Sequence, residues 1–330
     1  MPYSTANHSF DIALPPDSLL VVINVIEYCF CLALQLPSLL LFSAIAISVP
    51  LRTKNGSVWT SLSPSLIFYL NFLLIGLISA VVYHCYMISN FVQNGPGKAD
   101  QYWMFWMALC YECANVAVPI AIFALTIDRC LTIIFPLSYG KRAKRALLVV
   151  DVILSFSMFL VSLHIYVMEL PLDPVQLSNL CMNASCIKTR QRNLYRLGTK
   201  SLLGLINIVA SSVFVTLLKT NKILVQNSTA QQKALRNRMV AIILFCETVF
   251  NILPNMVAFF ANILFNTILS KYAGWITMVG YSLDSFVMSI FYSATLFGRQ
   301  QRASVGKNIA KVAPANQQIK TVHGHYGRAE

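Results

Sequence analysis

Apolar residues in this chain gather into seven long stretches, near 19–47, 64–91, 102–127, 147–170, 198–218, 239–263 and 273–297. Polar segments rich in Lys, Arg, Asn, Ser, Gly and Pro separate them. A helix crosses the ~30 Å of bilayer hydrocarbon in ~20 residues. Each stretch has that reach, and backbone groups surrounded by lipid are satisfied only inside helices or closed barrels. The pattern predicts an all-α membrane protein, a seven-transmembrane helix bundle. Pro37, Pro119 and Pro254 fall inside spans, where each removes a backbone donor and favours a kink that a packed bundle tolerates. The first stretch is the least regular, because Glu27, Gln35 and Pro37 interrupt it.

Composition agrees. Of 330 residues, 57% are hydrophobic and 11% charged, where a soluble domain carries about 25% charged. Basic residues set the expected orientation. With the N-terminus outside, seventeen Lys and Arg lie on the inner side and seven on the outer. Arg196 and Lys200 are counted among the outer seven. The reading is therefore N-terminus outside and C-terminus inside. Residues 1–18 form an extracellular N-terminus, 19–297 the seven-transmembrane domain and 298–330 a cytoplasmic tail. Within the tail, 298–312 reads as a short basic helix lying on anionic lipid. The sequons at Asn7 and Asn183 fall outside, where glycans are attached, and those at Asn55 and Asn227 fall inside.

The net charge of +13 is explained by basic inner loops facing membrane lipid and an acceptor protein, so no nucleic-acid partner is expected. No Gly-rich phosphate loop or His-x-x-x-His pair occurs. The expectation is no enzyme, no catalytic residue, no cofactor and no metal. Outer-loop Cys181 and Cys186 are candidates for a local disulfide in an oxidising compartment.

Charged residues inside spans call for a functional account, since hydrocarbon penalises each by roughly 2.5–3.5 kcal/mol at a helix centre. Asp128 and Arg129 close the third stretch, with Pro136 seven residues after the arginine and Lys141, Arg142, Lys144 and Arg145 just beyond. Glu112 lies 17 residues before Arg129, about 25 Å along a helix and so in the outer half. Three readings stand for it: a partner for a cationic ligand, a partner for a basic residue of the outer loop, or a protonated or hydrogen-bonded group within the bundle. Tyr111 and Tyr281, with Phe286 and Trp275, are candidates either for an apolar ligand pocket or for helix packing. Glu247 and Asp284 lie deeper and form either an inner polar switch with Asn251 or Ser285, or a purely structural network. Tyr102, Trp103, Phe105 and Trp106 read as an interface belt.

The run Asp128-Arg129-Cys130-Leu131-Thr132-Ile133-Ile134-Phe135-Pro136-Leu137 resembles the Asp-Arg-Tyr motif of rhodopsin-like G-protein-coupled receptors, with the following proline in register. The longer phrase from Ala124 to Cys130, with Ser138-Tyr139 after the proline, is similar to nematode serpentine chemoreceptors, the Srbc class above all. The resemblance implies a chemosensory receptor in the plasma membrane, and in sensory cilia. It would bind a small-molecule ligand in the outer half and activate a heterotrimeric G protein. Arg129 would be freed when the helices open, with Asp128, Cys130 and Pro136 on the coupling surface. Phe250-Asn251-Ile252-Leu253-Pro254 resembles the proline kink of the sixth span, making Pro254 a pivot. Tyr292 occupies the tyrosine position of the seventh-span motif, with Ser289 in place of its proline. The position of the family's third-span cysteine is Met104. The rival reading is a seven-span ligand-gated channel or transporter without G-protein coupling.

Overall fold

The computed structural model describes residues 17–52, 63–95, 100–136, 138–170, 184, 194–220, 237, 239–265 and 276–312. In chain order the long helices are α1 (Asp17–Arg52), α2 (Pro64–Asn94), α3 (Gln101–Ile134), α4 (Lys141–Val167), α5 (Leu194–Thr220), α6 (Met239–Leu264) and α7 (Ile276–Val312). Among the described residues no strand occurs. The helices α1 to α6 are long and apolar enough to cross a membrane, so the chain has the build of a helical multi-pass membrane protein. The 37-residue α7 is not one of those six. Its packed face carries Thr277, Ser282, Asp284, Ser285 and Ser289, all buried.

Local chemistry sets several helix ends. Ser63 caps α2 by accepting the Leu66 N–H at 3.3 Å, with Pro64 in the first turn where no N–H is needed. Gly95 ends α2 at φ 83°, a left-handed conformation that glycine adopts without a Cβ clash. Asp100 caps α3 by accepting from Tyr102 and Trp103 N–H at 2.9 and 3.1 Å. Helices α1 and α3 continue through Pro37 and Pro119. Residues 298–312, expected as a separate interfacial segment, are helical within α7.

The packing order closes a ring. Helix α1 lies against α2 and α7, α2 against α3, α3 against α5, α5 against α6, and α6 against α7, while α4 packs on α2 and α3. Helix α3 is central and α4 peripheral: 61% of the apolar window of α3 is buried against 17% for α4. The surface of α4 is accordingly apolar, with Val149, Ile153, Phe156 and Leu160 exposed, and that of α5 likewise at Leu205, Val209 and Val213. The interior holds aromatic and aliphatic groups such as Tyr69, Leu73, Leu77 and Phe105 together with many polar ones. Apolar groups outside and polar groups inside is the distribution expected where lipid is the solvent.

One expectation on charge changes. Arg196 and Lys200, counted on the outer side, are both buried in α5. They lie one turn apart on one helix face, and that face is turned inward, where polar groups of neighbouring helices accept from them. They are interior residues and leave the outer tally.

Candidate functional site

The first polar cluster closes the Ile134 end of α3. Arg129 donates from Nη2 to Ser63 Oγ at 2.5 Å, and the same nitrogen lies 3.6 Å from Asp128 Oδ2. Both Asp128 and Arg129 are buried. Tyr139 reaches back from the turn before α4 and donates its hydroxyl to Asp128 Oδ1 at 2.9 Å. Partial burial, followed by the charge of Asp128, pushes the Tyr139 phenol well above the ordinary tyrosine range, so it remains a donor. Lys144 Nζ stands 5.5 Å over its ring, within cation–π range. Arg129 is thus bound to the start of α2, and Asp128 to the start of α4. The start of a helix carries partial positive charge, which disfavours a cation there by about 0.3–1 kcal/mol at an exposed site. Asp128, beside the guanidinium, offsets that repulsion. Tyr292 is buried on α7, its ring centroid 6.4 Å from that of Phe42, within the electrostatic reach of Arg129. Cys130 is buried and Pro136 is exposed in the turn after α3.

The second cluster crosses the bundle interior. Lys200 donates from Nζ to Asn115 Oδ1 at 2.8 Å and to Asn251 Oδ1 at 3.2 Å. Asn251 donates from Nδ2 to Glu247 Oε2 at 3.0 Å. Asn115 donates from Nδ2 to the Tyr111 hydroxyl at 2.9 Å. The chain Tyr111–Asn115–Lys200–Asn251–Glu247 therefore joins α3, α5 and α6. Asp284 of α7 is buried within the electrostatic reach of Lys200 and Glu247. Removing a charged group from water costs several kcal/mol, and charge-assisted hydrogen bonds of about 1.5–3 kcal/mol each offset much of it. Two amide oxygens bonded to the ammonium, with two carboxyl groups within its electrostatic reach, provide that compensation.

At this cluster α6 departs from α-helical register. Glu247–Ile252 is a π-helical segment, and the Leu253 N–H donates to Thr248 O, five residues back. Pro254 lies two residues beyond the segment. In an α-helix the donor to the Phe250 carbonyl would be the N–H of residue 254, and proline has none. The carbonyl instead points at α7, where a Cβ on Gly280 would overlap its oxygen. Only glycine admits that approach. On the opposite side Ile252 presses on Gly204 of α5, where a Cβ would fall 2.7 Å from Ile252 Cγ2. Side chains serve carbonyls at both margins: Thr248 Oγ1 donates to Leu244 O at 2.7 Å and Asn255 Nδ2 to Asn251 O at 2.7 Å.

The candidate ligand residues are buried. Glu112 and Tyr111 are adjacent in α3 and both fully buried. The rings of Tyr111 and Tyr281 meet edge-on with centroids 5.1 Å apart, and Tyr281 donates to Leu73 O at 3.4 Å. The structure thus brings Tyr111 and Tyr281 together, with Tyr111 also in the Lys200 chain. Arg196 of α5 donates from Nη2 to Thr277 Oγ1 of α7 at 3.5 Å. Of the proposed partners for Glu247, Asn251 is the one bonded to it. Tyr102, Trp103 and Trp106 are exposed as a belt requires, whereas Phe105 is core. Met104 is buried. Asn7, Asn183, Cys181, Cys186 and Trp275 lie outside the described residues.

Sequence reasoning missed Lys200, Asn115, Ser63 and the role of Tyr139. A signal existed for the first. Arg196 and Lys200 stand four apart at the start of an otherwise apolar run, a spacing that puts both on one helix face. Asn115 follows Tyr111 by the same interval. Nothing local marks Ser63 or Tyr139 as partners of Arg129 and Asp128. A scan against protein-family models finds no matching family, and a search of curated proteins finds no match.

Proposed function

We propose that the chain is a seven-span G-protein-coupled chemosensory receptor of the nematode serpentine kind, with the Srbc class nearest. Its N-terminus is outside, its C-terminus inside, and its place is the plasma membrane, with sensory cilia as the resemblance implies. The observation that carries the reading is the clasp at the end of α3, in which Arg129 is held by Asp128 and Ser63 and Asp128 by Tyr139. A guanidinium stays charged whether the bundle is closed or open, so it can serve a partner protein once those contacts part.

In this reading a small molecule binds in the outer half near Glu112, Tyr111 and Tyr281. It favours an open form only through differential affinity for the two states. Opening pulls α6 from the bundle at Pro254, and Tyr292 and Arg129 exchange partners. The freed Arg129, with Cys130, Pro136 and the basic segments 141–145 and 219–238, receives the G protein. Glu247 and Asp284 report the state of the interior to that surface.

The test is a ligand screen in a reporter cell, followed by replacement of Arg129. A G-protein-dependent second-messenger response that Arg129→Ala abolishes at matched surface level is the expected result. A ligand-evoked current in a cell lacking G proteins would instead establish the channel reading.

A further inference from the structure

We propose that the π segment Glu247–Ile252 is the hinge of α6 and that Lys200 is the latch holding it closed. A π register is rare and is maintained by its surroundings. Here three helices maintain it. Lys200 of α5 binds Asn251 inside the segment. Gly280 of α7 receives the Phe250 carbonyl, and Gly204 of α5 receives Ile252. The other end of the latch is fixed, because Lys200 is bonded to Asn115 on central α3.

The geometry also specifies what moves. A segment closed by i→i−5 bonds holds one residue more than the α path between the same ends. Shifting that extra residue along α6 turns the helix on one side of it by about 100°, the angle per residue. Glu247 and Asn251 are bonded to each other, so they leave Lys200 as a unit. The part of α6 from Met239 to Cys246, which presents Met239, Val240, Ile243 and Leu244 to the core, turns with them. The part beyond Pro254 keeps its packing on α5 and α7. Pro254 alone would make a fixed bend; the movable register is what makes the bend a joint.

This deepens the receptor reading by placing its moving part, and rests on that reading only for the consequence of the motion. The test needs no ligand or G protein, so the hinge and the receptor reading fail separately. Backbone amide exchange is followed by mass spectrometry on the purified full chain in detergent. In the wild type, amides 247–253 should exchange about tenfold faster than amides 257–264, because they open locally. A chain lacking Val249, half-buried within the segment, closes to α register and should slow amides 247–253 about tenfold. Asn251→Ala, which cuts the latch, should accelerate them about tenfold and leave 257–264 and α3 unchanged. Equal exchange across 247–253 and 257–264 in the wild type overturns the proposal without either variant. So does a Val249 deletion that leaves the rate unaltered. Acceleration in Asn251→Ala spread evenly over α3 and α6 also overturns it, as the mark of general loosening.

Discussion

Lys200 on α5 donates a 2.8 Å hydrogen bond to Asn115 on α3, joining residues 85 apart in sequence across the bundle interior. The same ammonium reaches Asn251 on α6, so one cation links three helices. Burying it is tolerable because two amide oxygens accept from it and the Glu247 carboxyl, bonded to Asn251, lies within its electrostatic reach. Breaking a buried pair on one side leaves the other charge uncompensated, which is worse than removing both.

Lys200→Met is therefore expected to cost about 3–5 kcal/mol of stability. Adding Glu247→Gln should return part of that loss, with a coupling of about 0.5–3 kcal/mol between the two changes. Thermal unfolding of the four proteins in one detergent measures the cycle. Strict additivity would mean that the two groups do not share a charge environment.

Gly280→Ala forces a methyl into the Phe250 carbonyl and should destabilise by about 1–3 kcal/mol, the cost of overpacking. Pro254→Ala restores the N–H that the Phe250 carbonyl lacks and lets the carbonyl return to the helix axis. The double variant should then melt above Gly280→Ala alone. Melting at or below the single variant would show that proline is not what displaces the carbonyl.

Tyr139→Phe removes the hydroxyl that holds Asp128, and Ser63→Ala the one that holds Arg129. On the receptor reading each loosens the clasp and raises ligand-independent signalling, while Arg129→Ala abolishes signalling. Second-messenger output at matched surface level is the measurement. Tyr139→Phe is the cleaner variant, since Ser63→Ala also removes the cap of α2, worth about 1 kcal/mol. Unaltered basal output in both would remove the clasp from the mechanism.

Orientation is checked by glycosylation. With the N-terminus outside, a glycosidase-sensitive mass shift should disappear on replacing Asn7 and Asn183 with Gln and survive replacement of Asn55 and Asn227. The reverse dependence would invert the topology.

Six of the helices were legible in the sequence because lipid demands a simple thing of a spanning segment: about twenty apolar residues with their backbone satisfied internally. The start of α2 falls at the expected residue, 64, while α3 runs on to Ile134 and α4 begins at Lys141. Those two extend through polar residues that helices accept outside hydrocarbon. The Asp128–Arg129 pair was legible for the same reason, since charge at the end of an apolar run stands out.

Which polar side chains meet was not legible. Hydropathy records how much charge a span contains and not which way its face is turned, so Lys200 reads as an outer-loop base in sequence although α5 turns it inward. Ser63 and Arg129 are 66 residues apart, and their contact depends on how α2 and α3 pack. The proline at 254 announced a bend, but the π register depends on Gly280 of another helix standing where the displaced carbonyl points. The sequence by itself determined six helices long and apolar enough to cross a membrane and the end of α3 that holds a charge pair, because those follow from local solvation. Tertiary structure alone decided the lysine-centred network and the joint in α6, because both arise from contacts between helix faces whose rotation no single segment encodes.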